Sequence, residues 1–266
     1  MQLARSIARI STLFAAAALF AAPAAAATLV ARYNFANTLE SRIGGAPALT
    51  LVDPLGTSRF VRTELGGEDR AVLEFNGTRL TSEQGGLSFN SSGLLSSDSW
   101  SAAFTFQFFD GALQFRRIID TTNRTKDGGL YVHGNNKLAI VSGAQGTSIV
   151  PNKTWHNIVL TVGAGGNVNA WLNGKHEISH TTDVLNISPT GIVNLFLDDS
   201  LYAREWSAGQ IAGLSFYDGV LTPGQIAAIN NNPLPTVPEP ATWAMLIVGF
   251  GAIGLAARRR RPAVTA

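Results

Sequence analysis

Four aspartates are the side chains of this sequence with the clearest capacity for chemistry. Asp198 and Asp199 are adjacent and follow an apolar run, while Asp120 and Asp127 flank the polar residues 121–123. Because Ca²⁺ is bound by carboxylate and carbonyl oxygens that loops supply, these aspartates are candidate ligands of a calcium ion. The alternative is that all four are solvated loop acids and turn formers, and the sequence leaves both interpretations open.

A catalytic pair of carboxylates is not evident. Glycoside hydrolysis requires two carboxyl groups roughly 5 to 10 Å apart, and acids that alternate along one strand would share a face and supply them. No such alternation occurs in the sequence. In a strand, Asp198 and Asp199 would point to opposite faces, and a predicted loop separates Asp199 from Glu205. We therefore predict that the protein is not an enzyme.

Two tryptophans are candidates for binding a sugar. Trp100 and Trp206 each combine a large apolar ring, suited to stacking, with one hydrogen-bond donor. The histidines do not predict a metal site, since His176 and His180 have i,i+4 spacing in a region with the pattern of a strand. The chain has no cysteine, which excludes thiolate nucleophiles, thiolate metal sites and disulfides.

The N-terminus has the three zones of a secretory signal. Arg5 and Arg9 give a positive start, residues 10–22 carry no charge, and residues 24–27 are alanines that a signal peptidase accepts. We expect an exported protein with a signal peptide over 1–27 and a mature chain that begins near Ala27 or Thr28. The alternative, an uncleaved anchor, requires a longer apolar run of about 20 residues.

A second apolar segment, residues 241–257, lies near the C-terminus. Its 17 residues carry no charge, and as a helix they would cover about 26 Å at about 1.5 Å per residue, the lower limit for a bilayer. Four arginines follow at 258–261. By the positive-inside rule, the basic tail 258–266 is cytoplasmic and the bulk of the chain lies outside. We predict a single transmembrane helix over 241–257.

A short motif, Pro238-Glu239-Pro240 followed by Trp243, begins just before this predicted span. Its two prolines keep the chain extended, because each fixes its own φ and disfavours helix in the residue before it. Together with the span and the arginines, the motif closely resembles the PEP-CTERM sorting signal in its PEPxxWA variant. The resemblance implies recognition by an exosortase, a membrane protease-transpeptidase, in a Gram-negative bacterium that makes exopolysaccharide or biofilm. The residues that carry it are Pro238, Glu239, Pro240, Trp243, Arg258, Arg259, Arg260 and Arg261.

The positive charge of the chain is concentrated at its ends. Six of the 20 basic residues but one of the 18 acidic residues lie in the two targeting segments. The remainder therefore has 14 basic and 17 acidic residues, a net charge of −3. Because a net negative domain does not attract a polyanion, no nucleic-acid partner is predicted.

The central residues, 28–231, have the pattern of an all-β domain. Short apolar runs alternate with turns rich in glycine and asparagine, and Phe104, Phe106 and Phe108 recur at every second position. One helix is predicted, with Thr222 as N-cap and Pro223 as its first residue. Residues 232–240 then form a proline-rich linker that contains the sorting motif. The pattern predicts two antiparallel sheets packed face to face as a jelly-roll sandwich.

Two blocks within this domain resemble a known family. Residues 155–161 with 170–175 are similar to the central hairpin of laminin-G-like, concanavalin A-like jelly rolls, and residues 213–226 to their closing strand and short helix. Many laminin-G-like domains bind calcium at a rim loop. The resemblance therefore implies calcium as the one expected cofactor, and it favours carbohydrate as a ligand.

Together, these features predict an exported, non-enzymatic binding protein. It is tethered to the inner membrane by the C-terminal helix before it reaches the cell surface or the extracellular matrix. Signal peptidase and exosortase are its partners during export, and a glycan, exopolysaccharide or surface protein is its partner outside. Two alternatives remain: a polysaccharide-active enzyme on the same fold, and a structural protein of the biofilm matrix.

Overall fold

Two antiparallel β-sheets pack face to face, and one short helix lies on the outer side of the larger sheet. The computed structural model describes residues 26–109, 115–141, 143–201 and 204–234. Within these ranges the chain forms fifteen strands and one α-helix. The predicted all-β sandwich is confirmed.

The larger sheet has eight strands. In spatial order they are β13 (Lys175–Thr181), β12 (Asn167–Leu172), β11 (His156–Gly163), β6 (Trp100–Phe108), β15 (Gly209–Asp218), β4 (Glu68–Phe75) and β3 (Arg59–Leu65), and β1 (Thr28–Tyr33) also pairs with β15. The central strand, β6, pairs with β11 on one side and β15 on the other. The hairpin predicted from the sequence corresponds to β11 and β12.

The smaller sheet has seven strands. In spatial order they are β10 (Gln145–Ile149), β9 (Lys137–Ile140), β8 (Leu130–His133), β7 (Phe115–Asp120), β14 (Ile192–Leu195), β5 (Gly86–Asn90) and β2 (Thr50–Val52). β14 pairs with β7 only at Ile119 and Asp120. Beside the earlier part of β7 lies the segment that follows β14, where the Arg117 amide donates to the Glu205 carbonyl at 3.2 Å.

Aromatic rings fill much of the core between the sheets. Alternate residues of β6 point into it, so Phe104, Phe106 and Phe108 are all buried, as their spacing predicts. Phe196, directly after β14, stacks on Phe75 with ring centroids 4.2 Å apart. Its ring centroid also lies 5.5 Å from that of Phe106 and 5.8 Å from that of Phe108. Its φ of +64° is costly for a residue with a bulky side chain, and these ring contacts hold it there.

The helix α1 (Pro223–Asn231) begins at the predicted residue. The Thr222 hydroxyl accepts from the Gln225 amide, and the Gln225 side chain accepts from the Thr222 amide, which completes a capping box. Nε2 of Gln225 also donates to the Ala27 carbonyl at 2.8 Å and so holds the first residues of the domain. The helix covers a small apolar cluster on the outer face of the larger sheet, formed by Ala27, Ala103, Val159, Tyr217, Leu221 and Ile226.

Four strands were not predicted from the sequence: β3, β5, β10 and β13. Three of them, β3, β10 and β13, lie at the edges of their sheets. An edge strand has one strand neighbour and tolerates polar and charged residues, so no apolar run marks it. β5 includes Gly86 and Ser88, which interrupt its apolar pattern.

Several predictions concern residues outside the described ranges. These are most of the signal peptide, the linker beyond residue 234, the sorting motif, the transmembrane helix 241–257 and the basic tail 258–266. In the part of the chain that the structure describes, no helix is both long and apolar enough to cross a bilayer. The predicted boundaries of signal, domain, linker, span and tail stay predictions.

Replacing Phe196 with alanine is expected to lower the free energy of unfolding by about 3–5 kcal/mol, because it removes a ring that three core aromatics surround. Urea unfolding followed by fluorescence measures this loss. The matched control is Leu55→Ala, since Leu55 is 47% exposed and its truncation should cost no more than about 0.5 kcal/mol. Equal stability of the two variants would contradict the central position assigned to Phe196.

Candidate functional site

A cluster of charged side chains lies beside β7, where three separate segments of the chain meet. All but one of its members are buried. The charged cluster consists of Arg117 and Asp120 from β7, Asp127 from the β7–β8 loop, and Asp198, Asp199 and Glu205 from the segment after β14.

Arg117 lies at the centre of the charged cluster, and its side chain is 0% exposed. Its Nη2 lies 2.6 Å from Oδ2 of Asp199 and also contacts Oε2 of Glu205, which accepts from Nε at 3.0 Å as well. Nη1 lies 3.5 Å from Oδ2 of Asp120, and Nη2 lies 3.5 Å from Oδ1 of Asp127. The fork of guanidinium donors therefore joins acids that are far apart in the sequence.

Local donors fix Asp120 at the end of β7. Its Oδ1 accepts from the backbone amide of Arg124 at 2.8 Å and from Nδ2 of Asn194 at 3.2 Å, while its Oδ2 accepts from the Thr122 hydroxyl at 2.8 Å. These bonds fold the start of the β7–β8 loop back over the strand. Asp120 is therefore held in place by neutral donors as well as by Arg117.

The adjacent aspartates both face the guanidinium. Asp198 and Asp199 lie in the loop beyond the end of β14, so the opposite orientation that adjacent residues take in a strand does not apply to them. Oδ2 of Asp198 accepts from the Glu205 amide at 3.0 Å, and Oδ1 of Asp199 accepts from the Leu201 amide at 2.5 Å. Oδ1 of Asp198 is buried without a hydrogen-bond partner and lies 3.9 Å from Nη2 of Arg117.

Negative charge exceeds positive charge in the charged cluster. Five carboxylates surround Arg117. Burial raises the pKa of Glu205 to about 7, although Arg117 acts to lower it. Burial likewise raises the pKa of Asp198. For Arg117 burial acts in the opposite direction, but its contacts, among them Glu205 and Asp199, raise its pKa above the usual value, so the guanidinium stays charged. Around neutral pH, the carboxyl group of Glu205 is therefore protonated in part of the molecules, which reduces the excess of negative charge in the cluster.

Three carboxylates of the charged cluster form an acidic triad of the kind that can hold a metal ion. Asp127, Asp199 and Glu205 offer oxygens that lie within 4.8 Å of one another. The same three carboxylates all contact Nη2 of Arg117. Calcium takes about six to eight oxygens at roughly 2.3–2.6 Å, and it would have to share this position with a guanidinium cation. The residues present therefore do not fit calcium at the centre of the triad while Arg117 lies there.

Asp199 and Glu205, which a loop was predicted to separate, both contact Nη2 of Arg117. They nevertheless form a poor catalytic pair, since both bind one guanidinium and are 0 and 6% exposed, with no space for a sugar ring between them. Sequence reasoning missed Arg117. The available signal was Arg117 directly before Ile118 and Ile119 in a strand, because an arginine that is buried must find acidic partners.

The two candidate tryptophans have different environments. Trp100 is 0% exposed, and its Nε1 donates to the Leu185 carbonyl at 3.3 Å. Its ring faces lie in the core, so the predicted stacking of Trp100 on a sugar is wrong. Trp206, which follows Glu205, is half-buried and keeps part of its ring at the surface. Its role as a sugar contact stays a prediction.

The C-terminal segment of the chain matches a known family of sorting motifs. Residues 236–261 match the PEP-CTERM protein-sorting motif, which confirms the resemblance noted in the sequence. The motif indicates an exported protein that passes through a membrane-anchored sorting intermediate. No curated protein matches the chain.

Solved structures share the fold at low sequence identity. Domain 4 of AbnA, an extracellular arabinanase of Geobacillus stearothermophilus solved in complex with arabinotriose, is 20% identical, with a TM-score of 0.60 over 77% of this chain and 99% of that one. The binding domain of botulinum neurotoxin DC, solved with rat synaptotagmin II, is 13% identical, with a TM-score of 0.56 over 79% of this chain and 52% of that one. At such identities, these likenesses establish the fold alone.

A family model also matches residues 81–227, more than half of the chain. This range extends from the turn before β5 into α1 and so includes all of the charged cluster. The β11–β12 hairpin and the capped helix after β15, which carried the resemblance in the sequence, lie within it. The chain belongs to the Laminin_G_3 family of the concanavalin A-like lectin/glucanases superfamily.

Proposed function

We propose that this protein is an exported glycan-binding protein that an exosortase sorts at the inner membrane. The observation that carries the proposal is one chain that joins a PEP-CTERM motif at 236–261 to a concanavalin A-like sandwich at 81–227. The motif directs the sandwich to the cell surface or matrix, where exopolysaccharide surrounds it. The superfamily includes both lectins and glucanases, so the choice between binding and hydrolysis has to come from the site.

The charged cluster favours binding over hydrolysis. A glycosidase acid and its partner must both reach the sugar, whereas Asp199 and Glu205 are buried and bind Arg117. The raised pKa of Glu205 follows from this burial and needs no catalytic explanation. The cluster holds two loops against the smaller sheet. A carbohydrate ligand is supported further by the related fold of AbnA domain 4, which was solved with arabinotriose.

The first prediction concerns glycan binding. The exported protein, purified from cells, should bind exopolysaccharide from its own host and release no new reducing ends from it, because Asp199 and Glu205 are buried against Arg117. Co-sedimentation measures binding, and a reducing-end assay on the same samples measures hydrolysis. A heat-unfolded sample is the control. Retention equal to that control would refute glycan binding, and new reducing ends would overturn the non-enzymatic role.

The N-terminal boundary of the domain supports the predicted position of signal-peptide cleavage. Ala27 is 7% exposed, lies in the apolar cluster beneath α1, and accepts a hydrogen bond from Gln225. β1 begins at the next residue, Thr28. Cleavage after Ala26 would keep all of these contacts, whereas cleavage after Ala27 would remove them. The structure therefore supports Ala27 as the first residue of the mature chain.

The second prediction concerns processing. Mass spectrometry of the exported protein should find an N-terminus at Ala27 and a C-terminus before Met245. Replacing Pro238 and Pro240 with alanine should leave unprocessed chain in the membrane, because the segment is then free to become helical. Pro233→Ala, in the linker outside the motif, is the matched control. Exported protein that keeps the arginines at 258–261 would contradict this route.

The third prediction tests the calcium hypothesis. We propose that Arg117 takes the position of a divalent ion, so calcium should change the melting temperature of the unaltered protein by less than about 1 °C. Arg117→Ala should lower the free energy of unfolding by about 3–5 kcal/mol, since it leaves buried carboxylates without their partner. Calcium should then restore part of the loss.

The control for this experiment is Arg62→Ala. Arg62 pairs with Asp69 on the exposed β3–β4 hairpin, where both side chains are more than half exposed, and such a pair contributes about 0–1 kcal/mol. A clear calcium-dependent stabilisation of the unaltered protein, reversed by a chelator, would show that the triad binds calcium beside Arg117.

A further inference from the structure

A shallow groove crosses the outer face of the β12–β13 hairpin, at one end of the larger sheet. It has a volume of about 320 Å³, at the lower limit of ligand pockets, which span about 300–1,000 Å³. It lies in the larger sheet, whereas the charged cluster lies beside the smaller one. The groove is lined by Asn167, Asn169, Ser179, His180 and Thr181.

Strand register brings the polar side chains of this groove together. Asn167 pairs with Thr181, and Asn169 pairs with Ser179. Directly paired residues in an antiparallel sheet project from the same face, and alternate residues project from the other. The intervening Val168 is buried in the core. Two amides and two hydroxyls therefore share one patch on the solvent side.

The hydrogen bonds around the groove orient its two amides. Asn167 Nδ2 donates to the Ala164 carbonyl at 3.0 Å, which directs its Oδ1 the other way. Asn169 Oδ1 accepts from the ring Nε2 of His176 at 3.1 Å, which leaves its Nδ2 as the outward group. The groove thus presents an acceptor and a donor side by side, and hydroxyls that can act as either. This is the complement of adjacent sugar hydroxyls.

An aromatic ring lies next to these amides. Trp171 is two residues beyond Asn169 on the same face of β12 and is half-buried. Its ring lies 5.0 Å from that of His176, the residue that orients Asn169. Indole rings beside amide and hydroxyl groups provide both the apolar face and the polar edge that a sugar needs.

The groove has no acidic side chain and lies at the other end of its hairpin from the C-terminal part of α1. Of its five lining residues only His180 is ionisable, and none has a carboxylate, ammonium or guanidinium group. The opposite end of the hairpin, at Gly174, packs near Asn230 of α1, close to where the described chain ends. The groove lies one strand away from that exit, roughly 20 Å at about 3.3 Å per residue, and so is open to a polymer outside the membrane.

We propose that this groove binds a neutral sugar residue of an extracellular polysaccharide. The inference rests on the proposed glycan-binding function and deepens it, because it names the surface that makes contact and the charge class of the ligand. Asn167 and Asn169 accept from and donate to sugar hydroxyls, and Trp171, which is half-buried against the apolar cluster beneath α1, borders the site.

Isothermal titration of the exported protein tests the proposal. The probes are neutral tri- to pentasaccharides of arabinose, glucose, galactose and mannose, with galacturonate oligomers of equal length as charged counterparts. The best neutral probe should bind more tightly than any galacturonate oligomer. Asn167→Ala and Asn169→Ala should each weaken it about 10-fold, the effect of losing one hydrogen-bonding side chain.

The matched control is Asn135→Ala, since Asn135 is an exposed asparagine in the β8–β9 turn of the other sheet. It should leave affinity unchanged, and all three variants should keep the melting temperature of the unaltered protein. Undiminished affinity in both groove variants, with binding retained by the unaltered protein, would overturn the groove and leave the proposed function standing. Preference for galacturonate would overturn the neutral ligand class, and absence of binding to every probe and to the host exopolysaccharide would overturn both proposals.

Discussion

The contact between the buried guanidinium of Arg117 and its surrounding carboxylates ties two loops to the smaller sheet. Its partners come from β7 itself, from the β7–β8 loop and from the segment after β14. A charge with no access to water must keep partners in fixed geometry, because breaking such a pair leaves an uncompensated charge in a low-dielectric site. The acids that contact Arg117 are therefore held in place, and Trp206 directly follows one of them, Glu205.

This constraint explains why the acids are poor candidates for chemistry despite their number. Carboxylates that converge on one position suggest a metal ion or a catalytic pair, but here the guanidinium of Arg117 occupies that position. The surplus of negative charge is offset by local hydrogen-bond donors and by the raised pKa of Glu205. The charged cluster has a structural explanation in which no bound ion is needed.

The two sheets consequently have different roles. The smaller sheet carries the charged cluster and the loops that it fixes, while the larger sheet carries α1 on its outer face and the neutral groove at its β12–β13 edge. The helix packs against the same hairpin that bears the groove, through the apolar cluster that includes Val159 and contacts Trp171. The C-terminal part of α1 lies near one end of the β12–β13 hairpin, and the groove opens at the other.

Local patterns in the sequence determined much of the architecture. The alternating rings of β6, the β11–β12 hairpin and the start of α1 at Thr222 and Pro223 were predicted, because each depends on residues close together in the chain. The sorting motif was also evident from consecutive residues. The polar edge strands β3, β10 and β13 were not predicted, since their partners rather than their own composition stabilise them.

The candidate sites depended on contacts that no local pattern contains. Arg117 and Glu205 are 88 residues apart, and only the fold shows that they share a buried hydrogen bond. Trp100 has the ring and the donor that a sugar contact needs but lies in the core. The orientation of the Asn169 amide depends on His176 of the neighbouring strand, which bonds Oδ1 and leaves Nδ2 facing outward. The sequence by itself determined the fold class and the sorting address, because both arise from short-range periodicity and consecutive motifs. The tertiary structure alone decided which polar side chains are buried together and which face solvent, because that depends on strand order and register between distant segments.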